Sequence, residues 1–168
     1  MMRKIVLLTL MIGALVLSSF IKPTQIGTSP IFGVFVASSP CGGLPRGLLN
    51  LPENADCELI RWKLMLHYDP STNAPTSYYL TCVYGQYLNG TSGLIGGGTK
   101  VEFEGKWAMA KGSQNDPNVV VYQLSIAKPQ MQLSFQKIDN NLLHLLDSDK
   151  RLMIGNSGES YTLNRVTN

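Results

Sequence analysis

The chain has 168 residues, with 14 basic and 11 acidic side chains and a formal charge of +3. Three of the basic residues, Arg3, Lys4 and Lys22, belong to a leader-like start, so the rest is charge-balanced. A neutral domain of about 145 residues can fold around one core without depending on disulfides, and it has no electrostatic footprint for nucleic acid or an anionic membrane.

Arg3 and Lys4 precede an almost unbroken apolar run, Ile5 to Ile21, which is followed by Lys22-Pro23. This is the layout of an export signal. Residues 1–24 are expected to be a signal peptide or an N-terminal anchor, and residues 25–168 a single domain. The run falls slightly short of the roughly 20 residues of a membrane span. Cleavage is expected between about Ser19 and Gln25, after the small residues Ser18-Ser19. The first cysteine is Cys41, far beyond the apolar run, so no lipid-bearing cysteine is expected. The protein should be exported to the periplasm, the cell envelope or the medium. Any membrane contact should come through an uncleaved leader.

Ile31 to Ala37 reads as a first strand, broken by Ser38-Ser-Pro-Cys-Gly-Gly-Leu-Pro-Arg46. Gly47 to Asp56 carries Leu48, Leu49 and Leu51, which suggests a covering loop or a short helical turn. From Trp62 to Tyr68 the chain alternates: Trp62, Leu64, Leu66 and Tyr68 share one face, and Arg61, Lys63 and His67 the other. That period of two marks a strand with one buried face. A turn from Asp69 to Thr76 leads to Ser77–Gly85, with Tyr78, Leu80, Cys82 and Tyr84 inward.

Gln86 to Gly98 is a glycine-rich loop. Leu-Ile-Gly-Gly-Gly98 has no Gly-Lys-Ser/Thr ending and so does not form a phosphate loop. Val101 to Met109 alternates again, with Val101, Phe103, Gly105, Trp107 and Met109 inward. A glycine at that place marks a bend or a close backbone approach. Val119–Leu124, Met131–Lys137, Leu142–Leu146, Arg151–Ile154 and Ser160–Val166 read as five more short strands between polar turns. No helix of amphipathic period is evident. Eight or nine short strands at hairpin spacing imply an all-β, antiparallel, up-and-down barrel of the lipocalin kind, preceded by the leader.

Cys41, Cys57 and Cys82 all lie after the leader, and in an oxidising compartment one disulfide with one thiol left over is expected. Cys41 and Cys57 flank a single loop beside two strand ends and are the favoured pair. Cys82 is the rival partner. Cys41, Cys57 and His67 are also candidates for a soft metal such as Cu(I), with His144 and the methionines Met65, Met109, Met131 and Met153 as further candidate ligands. Packed thiols and gap-filling methionines are the plainer reading. Trp62, Tyr78, Tyr84, Phe103, Trp107 and Tyr122 could line a barrel cavity for a small hydrophobic ligand, or fill the interior themselves. No nucleophile elbow, carboxylate pair or acid–base triad can be read out, so no enzyme and no cofactor are expected.

In order along the chain stand Ser-Ser-Pro-Cys41, Ala-Asp-Cys57-Glu, Glu-Gly-Lys-Trp107, Leu143-His-Leu-Leu-Asp147 and Tyr161-Thr-Leu-Asn-Arg165. This series resembles the N-terminal domain of the NlpE family, the bacterial envelope lipoproteins linked to copper resistance and surface stress sensing. The resemblance spans nearly the whole chain after the leader. It implies a small barrel related to lipocalins and an extracytoplasmic location, with a role in envelope stress or copper homeostasis. Where the family has Pro-Cys-Ala-Asp-Cys, this sequence separates Pro40-Cys41 from Ala55-Asp56-Cys57 by the insertion Gly42 to Asn54. It also lacks the lipid-bearing cysteine.

Overall fold

The computed structural model describes residues 29–166 apart from 43, 49, 53 and 128–130, so the leader lies outside the described residues. Eight antiparallel strands follow one another around a closed barrel. They are β1 (Ile31–Pro40), β2 (Leu59–Tyr68), β3 (Pro75–Gly85), β4 (Thr99–Lys111), β5 (Val120–Ile126), β6 (Met131–Lys137), β7 (Leu142–Leu146) and β8 (Thr162–Arg165). The expected all-β meander is the observed architecture. One short helix, α1 (Leu44–Leu48), interrupts the β1–β2 connection, where a leucine-rich covering turn was expected.

The period-2 pattern builds the core. Ile60, Trp62, Leu64 and Leu66 of β2 and Tyr78, Leu80, Cys82 and Tyr84 of β3 are buried, and so are Trp107, Leu124 and Phe135. Leu133 of β6, Leu143 and Leu145 of β7 and Leu163 of β8 complete the interior. Each fully buried leucine contributes about 1.5–3 kcal/mol relative to an exposed one. The barrel closes where β8 meets β1: Phe35 stands opposite Arg165, and Val166 N–H donates to Val34 O at 2.8 Å.

β4 serves two neighbours in succession. Its residues Thr99–Lys106 pair with β3, and Trp107–Lys111 pair with β5. Gly105 stands at the change-over. A Cβ there would lie 2.5 Å from Ser125 O and 3.0 Å from Cε1 of Tyr78. The bare glycine lets β5 approach, and the Tyr78 hydroxyl donates to that same Ser125 carbonyl at 3.0 Å. This is the close backbone approach that a glycine on the inward face implied. Gly105→Ala should therefore lower stability by about 1–3 kcal/mol, as overpacking does elsewhere. Urea unfolding checks it, and an unchanged midpoint would mean that the corner has room to spare.

Two expectations are corrected. Arg151–Ile154 is not a strand: Leu152 makes one isolated bridge to Leu146, and Ile154 is exposed. Asp147 Oδ1 accepts from the N–H groups of Asp149 and Arg151, turning the chain sharply. Beyond β8 the backbone of Leu145 divides its bonds, donating to Tyr161 O at 2.9 Å and accepting from Met153 N–H at 3.1 Å, so this stretch holds to β7 by single bonds rather than a ladder. Met109 was expected inside but is half exposed. β3 accompanies β4 only as far as Lys106, so Met109 lies beyond the covered part of the wall. Phe103 and Val101, also read as inward, are half-buried and pack against the core from its margin.

Candidate functional site

The disulfide end of the barrel is built by the β1–β2 connection. Cys41 and Cys57 are bridged, with Cα atoms 5.7 Å apart. Cys41 N–H donates to Glu58 O at 3.2 Å, which holds the bridge against the start of β2. Between the cysteines, α1 sits against β6, and Leu51 packs into the core. Arg46 ties the loop to itself: its guanidinium donates to Pro52 O and to Ala55 O, both at 2.9 Å. The loop between the two cysteines is thus a lid over this mouth. Just below it, Trp62 Nε1–H donates to the buried Ser39 hydroxyl at 2.8 Å. Cys82, the rival partner, stands opposite Trp62 on β3 as a buried free thiol. Burial pushes its pKa far up, so it stays a protonated and unreactive thiol.

The other end is closed by rings. Trp107 lies 5.0 Å from Tyr122 and 5.3 Å from Phe32 between centroids, and Phe32 stands edge-on to Tyr68 at 6.5 Å. Trp107 Nε1–H donates to His67 O at 2.7 Å, across the gap that β3 leaves beside β4. Arg165 covers the cluster, with its guanidinium carbon 5.4 Å from the Phe32 ring centre and 4.9 Å from that of Phe35. It also donates to Asn140 O at 2.9 Å and Phe32 O at 3.0 Å. Gly33 permits this: a Cβ there would meet Phe35 at 2.8 Å and Arg165 at 3.0 Å. The sequence reading assigned no role to Arg165 or Phe32. The available signal was an arginine on the same inward face of the last strand as Leu163.

The six aromatic residues named as cavity candidates all point inward, and five are buried. Phe103 is half-buried. They do not converge on one chamber. The clefts that they touch are separate and open to solvent: Tyr78 borders one of about 480 Å³, Phe103 one of about 320 Å³ beside Ile126, Trp62 one beside Arg61 and Asn164, and Tyr84 one beside Asp56. Burial, with Glu104 nearby, pushes the Tyr78 phenol up to about 12, so that it remains a donor.

His67 does not join the cysteines. It lies at the far end of β2 from the bridge, where its Nδ1–H donates to Ser29 O at 2.7 Å. His144 is held between Thr162 Oγ1 at 2.8 Å and Met153 O at 2.7 Å, the latter fixing Nε2 as a donor. Among the described residues, no three of His, Cys, Asp or Glu come together as a metal cluster.

Comparison with family models, with curated proteins and with solved structures found no match.

Proposed function

We propose that this is an exported, non-enzymatic barrel of the NlpE-like kind, serving as a binding or stress-sensing module of the bacterial envelope. The observation that carries this reading is the Cys41–Cys57 bridge clamping a lid onto a barrel whose interior is filled by side chains. Such a bridge persists in an oxidising compartment. The filled interior favours recognition on the outer surface over a carrier holding a hydrophobic ligand inside. A role in copper homeostasis comes into the proposal only through the resemblance. The bridge uses two of the three cysteine sulfurs, the third is buried, and His67 stands at the opposite end.

The test is to express the full chain in a bacterium, separate envelope from cytoplasm, and map the thiols without reduction. The bridged form in the envelope or medium is the expected result. A full-length cytoplasmic chain with three free thiols would overturn the reading. Native mass spectrometry of the same sample separates the two classes of binder. Excess mass from a small hydrophobic molecule would favour the carrier, and the bare chain mass is expected.

A further inference from the structure

The chain enters the barrel at the aromatic end, opposite the disulfide. Ser29 O and Pro30 O accept from His67 and from Tyr68 N–H at the last residues of β2. Three aliphatic side chains from separate stretches are exposed around Arg165 at this end: Ile31 at 52%, Ile138 at 48% and Val166 at 43%. Arg165 links them, because it bonds Phe32 O beside Ile31 and Asn140 O in the Ile138 hairpin, and adjoins Val166. Single exposed aliphatics are ordinary on a protein surface; three grouped at one end of a barrel are a surface feature. Half-buried Phe32 and Tyr68 stand behind them and line a cleft of about 360 Å³ with Ile31 and Asn73.

Between the apolar run that ends at Ile21 and Ser29 there are only seven residues, 22–28. Seven residues span about 25 Å at full stretch. β2, with ten residues, runs roughly 33 Å along a tilted strand, which is a barrel height of about 25 Å. A leader held in a bilayer therefore leaves the aromatic end, where the chain enters the barrel, nearest to the membrane.

We propose that the barrel end carrying Ile31, Ile138 and Val166 rests on a phospholipid bilayer, held there by the apolar leader as a retained anchor. This inference rests on the export reading above. The charges at this end balance: Lys111, Lys137 and Arg165 stand against Asp69, Asp116 and Asp139, and the turn bonded to the Asp116 loop adds Lys150 and Arg151 against Asp147 and Asp149. Apolar contact with Tyr68 and Phe32 near the headgroups, rather than attraction to anionic lipid, makes the contact, so zwitterionic vesicles suffice.

The test uses the full-length chain reconstituted in phosphatidylcholine vesicles that contain acyl-brominated quencher lipid. An environment-sensitive fluorophore is placed at Ile138→Cys or, as the control, at Ile95→Cys. Ile95 is 54% exposed and lies in the loop after β3 at the disulfide end. Both sites are exposed, so the fold tolerates them, and buried Cys82 does not label. The expected result is loss of most of the fluorescence at position 138 and little loss at position 95. Equal quenching, or stronger quenching at position 95, overturns the proposal. A chain whose leader is removed and whose barrel stays in the aqueous phase, alone or as a self-associated dimer, also overturns it while leaving the export reading intact. A chain that is never exported defeats that earlier reading instead.

Discussion

Trp107→Ala is expected to destabilise the barrel by about 3–5 kcal/mol, the range for removing a buried large aromatic side chain. Trp107 is 4% exposed and stands two residues beyond the Gly105 corner, where β4 has left β3 and joined β5. Its ring packs on Phe32 and Tyr122, so truncation leaves a cavity that these rings can only partly fill. Its indole N–H is the donor to His67 O, and that part-buried carbonyl loses its side-chain partner. Chemical denaturation of wild type and variant measures the difference. A loss below about 1 kcal/mol would place this face in water, since exposed substitutions cost little. Trp107→Phe separates the two contributions, because it keeps a ring in place and removes only the donor and part of the volume.

The second large effect concerns the bridge. Replacing Cys41 and Cys57 together by Ser should remove about 3 kcal/mol, the chain-entropy value for a loop of this length. The two cysteines are 16 residues apart, and the loop that they close carries Leu51 into the core. Without the bridge the unfolded chain gains freedom, while the lid keeps its hydrogen bonds, those from Arg46 among them, and the burial of Leu51. Denaturant midpoints for the double variant and for wild type in reductant should agree with each other and lie below that of oxidised wild type. A reduced wild type as stable as the oxidised form would mean that the lid is held by packing alone. Cys82→Ala should behave differently: it costs packing in the core and leaves the response to reductant unchanged, because that thiol has no part in the bridge.

Much of the fold was legible because the barrel is built from local alternation. Trp62-x-Leu64-x-Leu66 and Tyr78-x-Leu80-x-Cys82-x-Tyr84 each declare their inward face without reference to any other strand, and all seven residues are buried as expected. The site was less legible. The two cysteines could be paired from the loop between them, but the plug at the other end is made by Phe32, Trp107, Tyr122 and Arg165. These come from four different strands, and sequence spacing carries no sign of their meeting.

By itself, then, the sequence determined the all-β class, the chain order of the strands, most of their inward faces and the close approach at Gly105. These follow from the period of two and from a missing side chain, which are properties of short stretches. The tertiary structure alone decided which neighbour each stretch received. β4 was divided between β3 and β5, which left Met109 half exposed despite its inward parity. Arg151–Ile154 met the end of β7 only through single bonds, because Leu145 is shared between Met153 and Tyr161. Of the aromatic candidates, Trp107 and Tyr122 met in the packed plug, while Tyr78, Phe103, Trp62 and Tyr84 each border a surface cleft of their own. Register and closure depend on pairing between residues far apart in the chain. A backbone edge can bond only one partner at a time, so that competition is settled only when the whole barrel is assembled.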